Sequence, residues 1–497
     1  MASSQPISED DGSDSNVPLH IDAVDAASSD EALDNLSEKG DIAPPLCVSY
    51  SDPPNLSTKL IEGKMKWEYD CWDHDYDAQW VSEPDLDAIK EIAQSHYQIS
   101  GLPNDDITVT FLAEGAFHKI YTITSTDATG TLHQCIFRCG LPICPWYKLQ
   151  AEVAIMEFVR RNTKTIPVPK VFAFDSSMNN PVGLEWMLME KVNGRSYRDV
   201  EDDLQFDAKV KVHRQAAEWM DELSRLKFDS IGRLYHDWKR PLTDKDSYKV
   251  GPLCTNEFNS DLRLDYNVNR GPYRSFESLY HAYLNMHLSE VHDPRHRQRI
   301  KAWNKQEEME AAGEEIKEEV TETQHSLESL ERIPQLCFIL QSILPTALEG
   351  KKLGPGSTTL HNFDISKNNI LIDDAGNPLA LIDWEVTWLT IPNSINRYPP
   401  LVNKYAQGKE PAPWDSDEQK DEERLKEEKD WEEVLLKREF DRRLEELDSA
   451  HLKTGTGQDP ELTALDHFFS MIDSMDMEYL TQNHWVKSMR DKMRKVF

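Results

Sequence analysis

Three residues in the last third of the chain have the types and spacing for phosphate chemistry: Asp364, Asn369 and Asp383. They lie in the run Leu360-His-Asn-Phe-Asp-Ile-Ser-Lys-Asn-Asn-Ile-Leu-Ile-Asp-Asp-Ala-Gly-Asn-Pro-Leu-Ala-Leu-Ile-Asp-Trp-Glu385. Residues 370–372 and 379–382 are short apolar stretches, and Asp373 to Asn377 between them is turn chemistry, so the segment reads as a β-hairpin. If residue 373 pairs with 378, Asn369 lies opposite Ile382, one residue from Asp383. Adjacent strands are roughly 4.8 Å apart. One hairpin would therefore bring an amide oxygen and a carboxylate together at its open end. Hard oxygen ligands so placed suit a Mg²⁺ that also holds substrate phosphates. Asp364, in the loop entering the hairpin, could orient a hydroxyl or accept its proton.

Asp-x-x-x-x-Asn followed by a hairpin and a second Asp is the arrangement kinases use. The segment resembles the phosphotransferase enzyme family that includes aminoglycoside and choline kinases, and in particular its fungal branch. Phe228-Asp-Ser-Ile-Gly-Arg-Leu-Tyr235, Arg270-Gly-Pro-Tyr273 and Met189-Glu-Lys-Val-Asn-Gly194 resemble that branch too, over roughly residues 70–450. The resemblance implies an α+β, two-lobed protein-kinase-like fold with a small β-rich N-lobe and a larger, mainly helical C-lobe. It implies ATP and Mg²⁺ in the cleft, with Asp364 as the catalytic residue and Asn369 and Asp383 as metal ligands. It also places Met189 and Glu190 at the interlobe hinge, among the nucleotide contacts.

The remaining nucleotide contacts should come from the small lobe. Ala113-Glu-Gly-Ala-Phe-His-Lys119 lies between two strand-like stretches, where Gly115 could let a loop cover phosphates. Arg138 ends the third stretch, where kinases place a phosphate-pairing lysine, and Glu152 on the following helix is its natural partner. The chain departs from the kinase pattern in several ways. The loop has one glycine. Asn362 stands two residues before Asp364 where a His is usual, and His361 comes one earlier. Asp383-Trp-Glu385 replaces Asp-Phe-Gly, and Glu385 reads equally as a group near metal or substrate or as a helix-start carboxylate. No Ala-Pro-Glu follows within 30 residues, which argues for a small-molecule hydroxyl acceptor rather than a protein substrate. The rival reading is a kinase-like scaffold without catalysis.

The elements that must carry these residues are legible in part. Leu86, Ile89, Ile92 and Ala93 predict a helix over 85–97. Strands are expected over 107–112, 120–124, 133–138, 168–174 and 184–192, with a helix over 146–161 inserted among them. Beyond 193 the apolar spacing predicts helices over 207–226, 275–287 and 333–344. A charged helix is expected from 415, with the stripe Leu436, Phe440, Leu444, Leu447 packed on the body. The expected division is a disordered acidic tail over 1–63, an N-lobe over 64–192 and a C-lobe over 193–497, the last with an acidic insertion at about 304–332.

The 497 residues carry a formal net charge of −34. Residues 1–60, 304–332 and 410–448 hold −26 of it, so the acidity belongs to tail and surface segments. It excludes broad nucleic-acid or anionic-membrane binding, and leaves the tail and acidic helices free to meet protein partners. Seven cysteines without metal-ligand spacing suggest packed or free thiols in a reducing compartment. The longest apolar runs are too short to cross a membrane. The start of the chain lacks the apolar core of a signal peptide and is too acidic for a mitochondrial leader, so a cytoplasmic protein is expected.

Overall fold

The computed structural model describes residues 44–70, 75–299, 301, 327–349, 353–391, 398–412 and 422–449. The expectations for residues 1–43, for most of the acidic insertion and for 450–497 lie outside these.

The chain enters as a two-residue strand, β1 (Leu46–Cys47), and passes through a hairpin of β2 (Met65–Asp70) and β3 (Asp75–Trp80) into helix α1 (Leu86–Ser95). Asp85 caps α1, accepting from the amide of Asp87 at 2.8 Å, and Ile89, Ile92 and Ala93 are buried, as their spacing predicts. Three long strands follow: β4 (Ile107–Glu114), β5 (His118–Thr126) and β6 (Leu132–Gly140). Helix α2 (Tyr147–Asn162) then crosses to β7 (Val171–Asp175) and β8 (Glu185–Glu190). The sheet has six strands in the order β1-β7-β8-β6-β5-β4, one more than the sequence predicts.

The extra strand corrects the expected tail. Leu46 and Cys47 pair in parallel with Ala173 and Phe174. Farther on, Asp265 accepts hydrogen bonds from the Thr58 amide at 2.8 Å and the Ser57 hydroxyl at 3.0 Å. Residues 44–63, expected to be disordered, thus belong to the body. Their apolar side chains are too sparse to show periodicity, but a strand edge and one carboxylate supply the bonds that fix them.

Helix α2 has no polar face. Every side chain from Lys148 to Val159 is buried, three of them charged. Such a helix must satisfy its charges internally, and the functional site is built from that requirement.

The C-lobe begins with β9 (Arg195–Ser196) and the long helix α3 (Phe206–Arg225), then β10 (Lys227–Phe228), β11 (Arg233–His236) and β12 (Tyr248–Gly251). Helices α4 (Phe276–His292) and α5 (Leu327–Ala347) pack together around Tyr280, Leu284, Leu340 and Ile343. The chain then forms β13 (Thr358–Asn362), β14 (Ile370–Ile372), β15 (Pro378–Leu381) and β16 (Thr387–Thr390), and ends its described course in helix α6 (Glu422–Glu446). Leu436, Phe440 and Leu444 of α6 are buried, as expected. Lys209 of α3 meets Glu432 at 2.5 Å, which ties the same helix to the body. The α+β, two-lobed fold class read from the sequence is the one observed. Among the described residues, no helix is long and apolar enough to cross a membrane.

Candidate active site

The hairpin forms with the expected register where it matters. Ile370 pairs with Leu381 and Leu371 with Ala380, and the Ile382 amide donates to the Asn369 carbonyl at 2.9 Å. The turn is one residue tighter than expected, because the Asp373 carboxylate accepts from the Ala375 and Asn377 amides at 2.9 and 2.8 Å. A bulge at Leu371/Ile372 absorbs the difference. Asn369 therefore stands beside the strand that delivers Asp383.

Asp364 joins them from the loop. Its carboxylate accepts from the Asn369 side-chain amide at 2.7 Å, and its own amide donates to the Asn362 side chain at 2.8 Å. Asn362 thus braces the loop from the position where a His is usual. Burial pushes the Asp364 carboxyl above its ordinary range, with Glu385 adding to the effect and the Asn369 and Ser366 bonds opposing it. Asp383 has a left-handed backbone, φ 59°, a conformation uncommon outside Gly that Asp adopts more readily than most residues. Burial, followed by the charge of Glu385, pushes its carboxyl up to about 7, against the pull of Arg138. Its Oδ1 is buried with no hydrogen-bond partner in the structure.

With the Asn369 amide nitrogen committed to Asp364, its amide oxygen and the free oxygen of Asp383 are the ligands on offer. Among the described residues no group of three or more His, Cys, Asp or Glu is placed to hold a metal by itself. Two oxygen donors fit Mg²⁺, which takes one or two protein ligands and completes its shell with phosphates and water.

Behind this hairpin lies a buried polar cluster. Arg138, which pairs across the sheet with Met187, reaches α2 and forms a buried ion pair with Glu152. Burial alone would lower the guanidinium, but Glu152, Asp383 and Glu385 together hold it firmly charged. One helical turn earlier, Lys148 meets the Glu385 carboxylate at 2.5 Å and lies 3.3 Å from His118 Nε2. His118 is kept neutral by burial, reinforced by Lys148 and Arg138. Glu185 accepts from the Trp146 amide at the start of α2, and burial pushes its carboxyl up to about 8.

The other expected contacts are placed as follows. Gly115 tips the β4–β5 hairpin, its amide donating to the His118 carbonyl at 2.9 Å; a side chain added there would meet open space. Met189 is buried in the core at the end of β8. Glu190 is occupied: its amide donates to the Lys170 carbonyl at 2.8 Å and its carboxylate accepts from the Lys170 amide at 3.0 Å. Glu385 starts no helix, which removes one of its two readings. Lys148, His118 and Glu185 were not legible as site residues. Lys148 leaves a faint signal, as a lysine that shares a helix with two glutamates between apolar strands, whereas His118 and Glu185 are single polar residues at the starts of strands and leave none.

An α+β chain with an Asp-x-x-x-x-Asn loop, an acidic hairpin end and a buried Arg–Glu pair joining sheet and helix in the N-lobe has the parts of a kinase-like phosphotransferase. Residues 147–387 match the model of the Phosphotransferase enzyme family. The match falls inside the stretch over which the sequence resembles that family. Over 169 residues the chain is 34% identical to a subtelomeric hrmA-associated cluster protein of Aspergillus fumigatus, a match covering 33% of this chain and 32% of that protein. The chain thus spans about a third of the length of that relative. It is 25% identical over 228 residues to the mitochondrial protein "altered inheritance of mitochondria protein 9" of Yarrowia lipolytica, covering 40% of this chain and 39% of the other. Among solved structures, a thermostable aminoglycoside phosphotransferase, APH(4)-Ia, in complex with AMP-PNP and hygromycin B is 13% identical with a TM-score of 0.36, covering 82% of this chain and 97% of that one. An ethanolamine kinase of Plasmodium vivax is 11% identical with a TM-score of 0.32, covering 70% and 72%.

Proposed function

We propose that the protein is a Mg²⁺-dependent phosphotransferase that moves the γ-phosphoryl group of ATP onto a hydroxyl of a small molecule. The observation that carries this reading is the joint placement of Asp364, Asn369 and Asp383, with one Asp383 oxygen buried and unsatisfied. A scaffold has no need to bury a carboxylate with a free oxygen.

In this reading Asn369 and Asp383 hold the metal, which supplies charge neutralisation at the phosphates. Asp364 accepts the hydrogen bond of the acceptor hydroxyl and orients its oxygen toward the γ-phosphorus. As the new P–O bond forms, the bond from the γ-phosphorus to the bridging oxygen breaks and ADP departs. The hydroxyl proton passes to Asp364 and then to water. The raised Asp364 carboxyl fits that task, since a base with a higher pKa holds the proton better. Arg138, oriented by Glu152, faces the phosphates from the sheet, and the Gly115 hairpin covers them; Met189 and Glu190 lead into the hinge against the base.

The test is calorimetric titration with Mg·ATP, followed by a search for phosphorylated products in metabolite extracts. Binding with a product supports the reading, and no heat at millimolar nucleotide rejects it. We place the protein in the cytoplasm, on the six described cysteines, all buried as free thiols. The relatives named as mitochondrial make organelle fractionation the check.

A further inference from the structure

Next to the Asp364 loop lies a cavity of about 180 Å³ that neither the hairpin nor the Arg138–Glu152 pair explains. It is small beside drug-sized pockets, which run to roughly 300–1,000 Å³. Trp67, Phe117 and Trp388 give it aromatic walls, and Lys148 with Glu385 forms the wall it shares with the buried polar cluster. It is joined to the reacting residues by short links. The Phe363 amide donates to the Val386 carbonyl at 2.9 Å, and the Phe363 ring stacks on Trp388 at 4.0 Å. Asp364 follows Phe363 directly.

The polar atoms lining this cavity are unsatisfied as a set. Arg233 is 3% exposed, and its one hydrogen bond goes from a terminal nitrogen to the Glu385 carbonyl; its Nε and other terminal nitrogen have no partner. Asn259 is 2% exposed and donates to the Thr255 carbonyl at 2.8 Å, while its side-chain oxygen has no partner. The indole N–H of Trp67 and the hydroxyl of Thr255 are also buried and unpaired. Buried polar groups are nearly always bonded, so several orphans around one void mark a place where a ligand completes them.

The charge balance narrows the ligand. Glu385 answers Lys148 at 2.5 Å, and Glu257 is exposed at the rim. Arg233 has no carboxylate partner among the described residues. Its charge reaches Cys254: burial pushes that thiol up, yet the hydrogen bond from Cys144 and the Arg233 charge overrule it and lower it to about 7. A guanidinium buried without an anion is costly, and its planar donors match an oxyanion.

We propose, building on the phosphotransferase reading, that this cavity is the acceptor site and selects a small hydroxylated molecule carrying one anionic oxygen group, a carboxylate or a phosphate. Arg233 takes the anion, Trp67, Thr255 and Asn259 bond the neighbouring oxygens, and the hydroxyl end lies toward Asp364. Trp67 comes from the β2–β3 hairpin, outside the family-matched segment, so this selection is written partly by the chain's own N-terminal region.

The experiment titrates the full chain by calorimetry with glycerate, gluconate, glycerol 3-phosphate and glucose 6-phosphate, each beside its neutral counterpart glycerol, sorbitol or glucose. At least one anion should bind tenfold or more tighter than its neutral counterpart, and the better series identifies carboxylate or phosphate. Arg233→Gln should weaken that anion about tenfold to a hundredfold. Trp67→Phe, which keeps the ring and removes the donor, and Asn259→Asp, which sets a carboxylate against the anion, should each weaken it too, so a misfolded Arg233 variant leaves the test intact. No preference for any anion, or anion binding unchanged in these variants, overturns the proposal. Mg·ATP titrated alone separates the two readings. If nucleotide binds and no anion does, the acceptor proposal falls and the kinase reading stands. If an anion binds through Arg233 and nucleotide does not, the site stands and the kinase reading falls.

Discussion

The hairpin that carries Asp364, Asn369 and Asp383 and the polar cluster around Arg138 and Lys148 meet in one cleft but are made in opposite ways. The hairpin is local: twenty consecutive residues, a five-residue turn and one register place three functional groups. The cluster is assembled from β5, β6, α2, β8 and the residue after the hairpin, whose sequence separations are large. Local geometry tolerates loss of a single group, because backbone bonds hold the rest. An assembly of buried charges does not, because each member is the counter-ion of another.

The largest effect should fall on chemistry, in the local region. Asp364→Asn should lower turnover by about 10²- to 10⁴-fold while the melting temperature stays close to that of the wild type, since the new amide oxygen can still accept from Asn369. Steady-state kinetics with thermal melts checks both halves. Unchanged turnover would break the assignment of Asp364.

The next effect should fall on stability, in the assembled region. Arg138→Met strands Glu152 in the core and should cost about 3–5 kcal/mol. Adding Glu152→Leu should recover most of it, as read by denaturant unfolding. If the double variant is no more stable than Arg138→Met, the pair is not the buried unit described here.

A smaller effect concerns the segment that closes against both regions. A chain beginning at residue 61 should melt several degrees below one beginning at residue 44, because it lacks the Leu46–Cys47 strand and the Ser57 and Thr58 bonds to Asp265. Equal melting temperatures would show that the docking contributes nothing.

The pH dependence of the cluster gives a subtler contrast. Glu185 has a folded value of about 8 against an ordinary 4.5. The folded state therefore holds its proton more tightly, and this contribution to stability is complete below about pH 4.5 and is lost as pH rises toward 8. Glu185→Gln removes the loss, so its stability relative to the wild type should increase between pH 5 and pH 8. A difference that stays flat or falls over that range would contradict the buried, neutral carboxyl. The smallest effect should be at Gly115, where an added methyl meets no neighbour: Gly115→Ala should change stability by less than about 0.5 kcal/mol.

The same contrast explains what the sequence could reveal. The register of the hairpin followed from apolar alternation and turn residues, and Asn369 opposite Ile382 needed no tertiary information. Strands β4 to β8 and helices α1, α3 and α4 were legible from periodicity, within a few residues at their ends. The Arg138–Glu152 pair came through family resemblance alone. Lys148 with Glu385 escaped, because one salt bridge across 237 positions leaves no periodic trace. Residues 44–63 escaped for the related reason that a two-residue strand and a bonded Asp265 depend on partners far along the chain. Arg233 stood in a stretch that resembles the family but had no role attached to it, Asn259 looked like an ordinary polar residue, and only the cavity shows that their bonds are unmade.

The central claim is that the hairpin end binds metal and nucleotide through Asp383 and Asn369 while Asp364 acts on the acceptor. Calorimetric titration of Mg·ATP into the wild type, Asp364→Asn and Asp383→Ala tests it most directly. The account expects the wild type and Asp364→Asn to bind with nearly equal affinity, and Asp383→Ala to bind at least tenfold more weakly, with the dependence on Mg²⁺ lost. Equal binding by all three proteins, or no binding by the wild type at millimolar nucleotide, would contradict it.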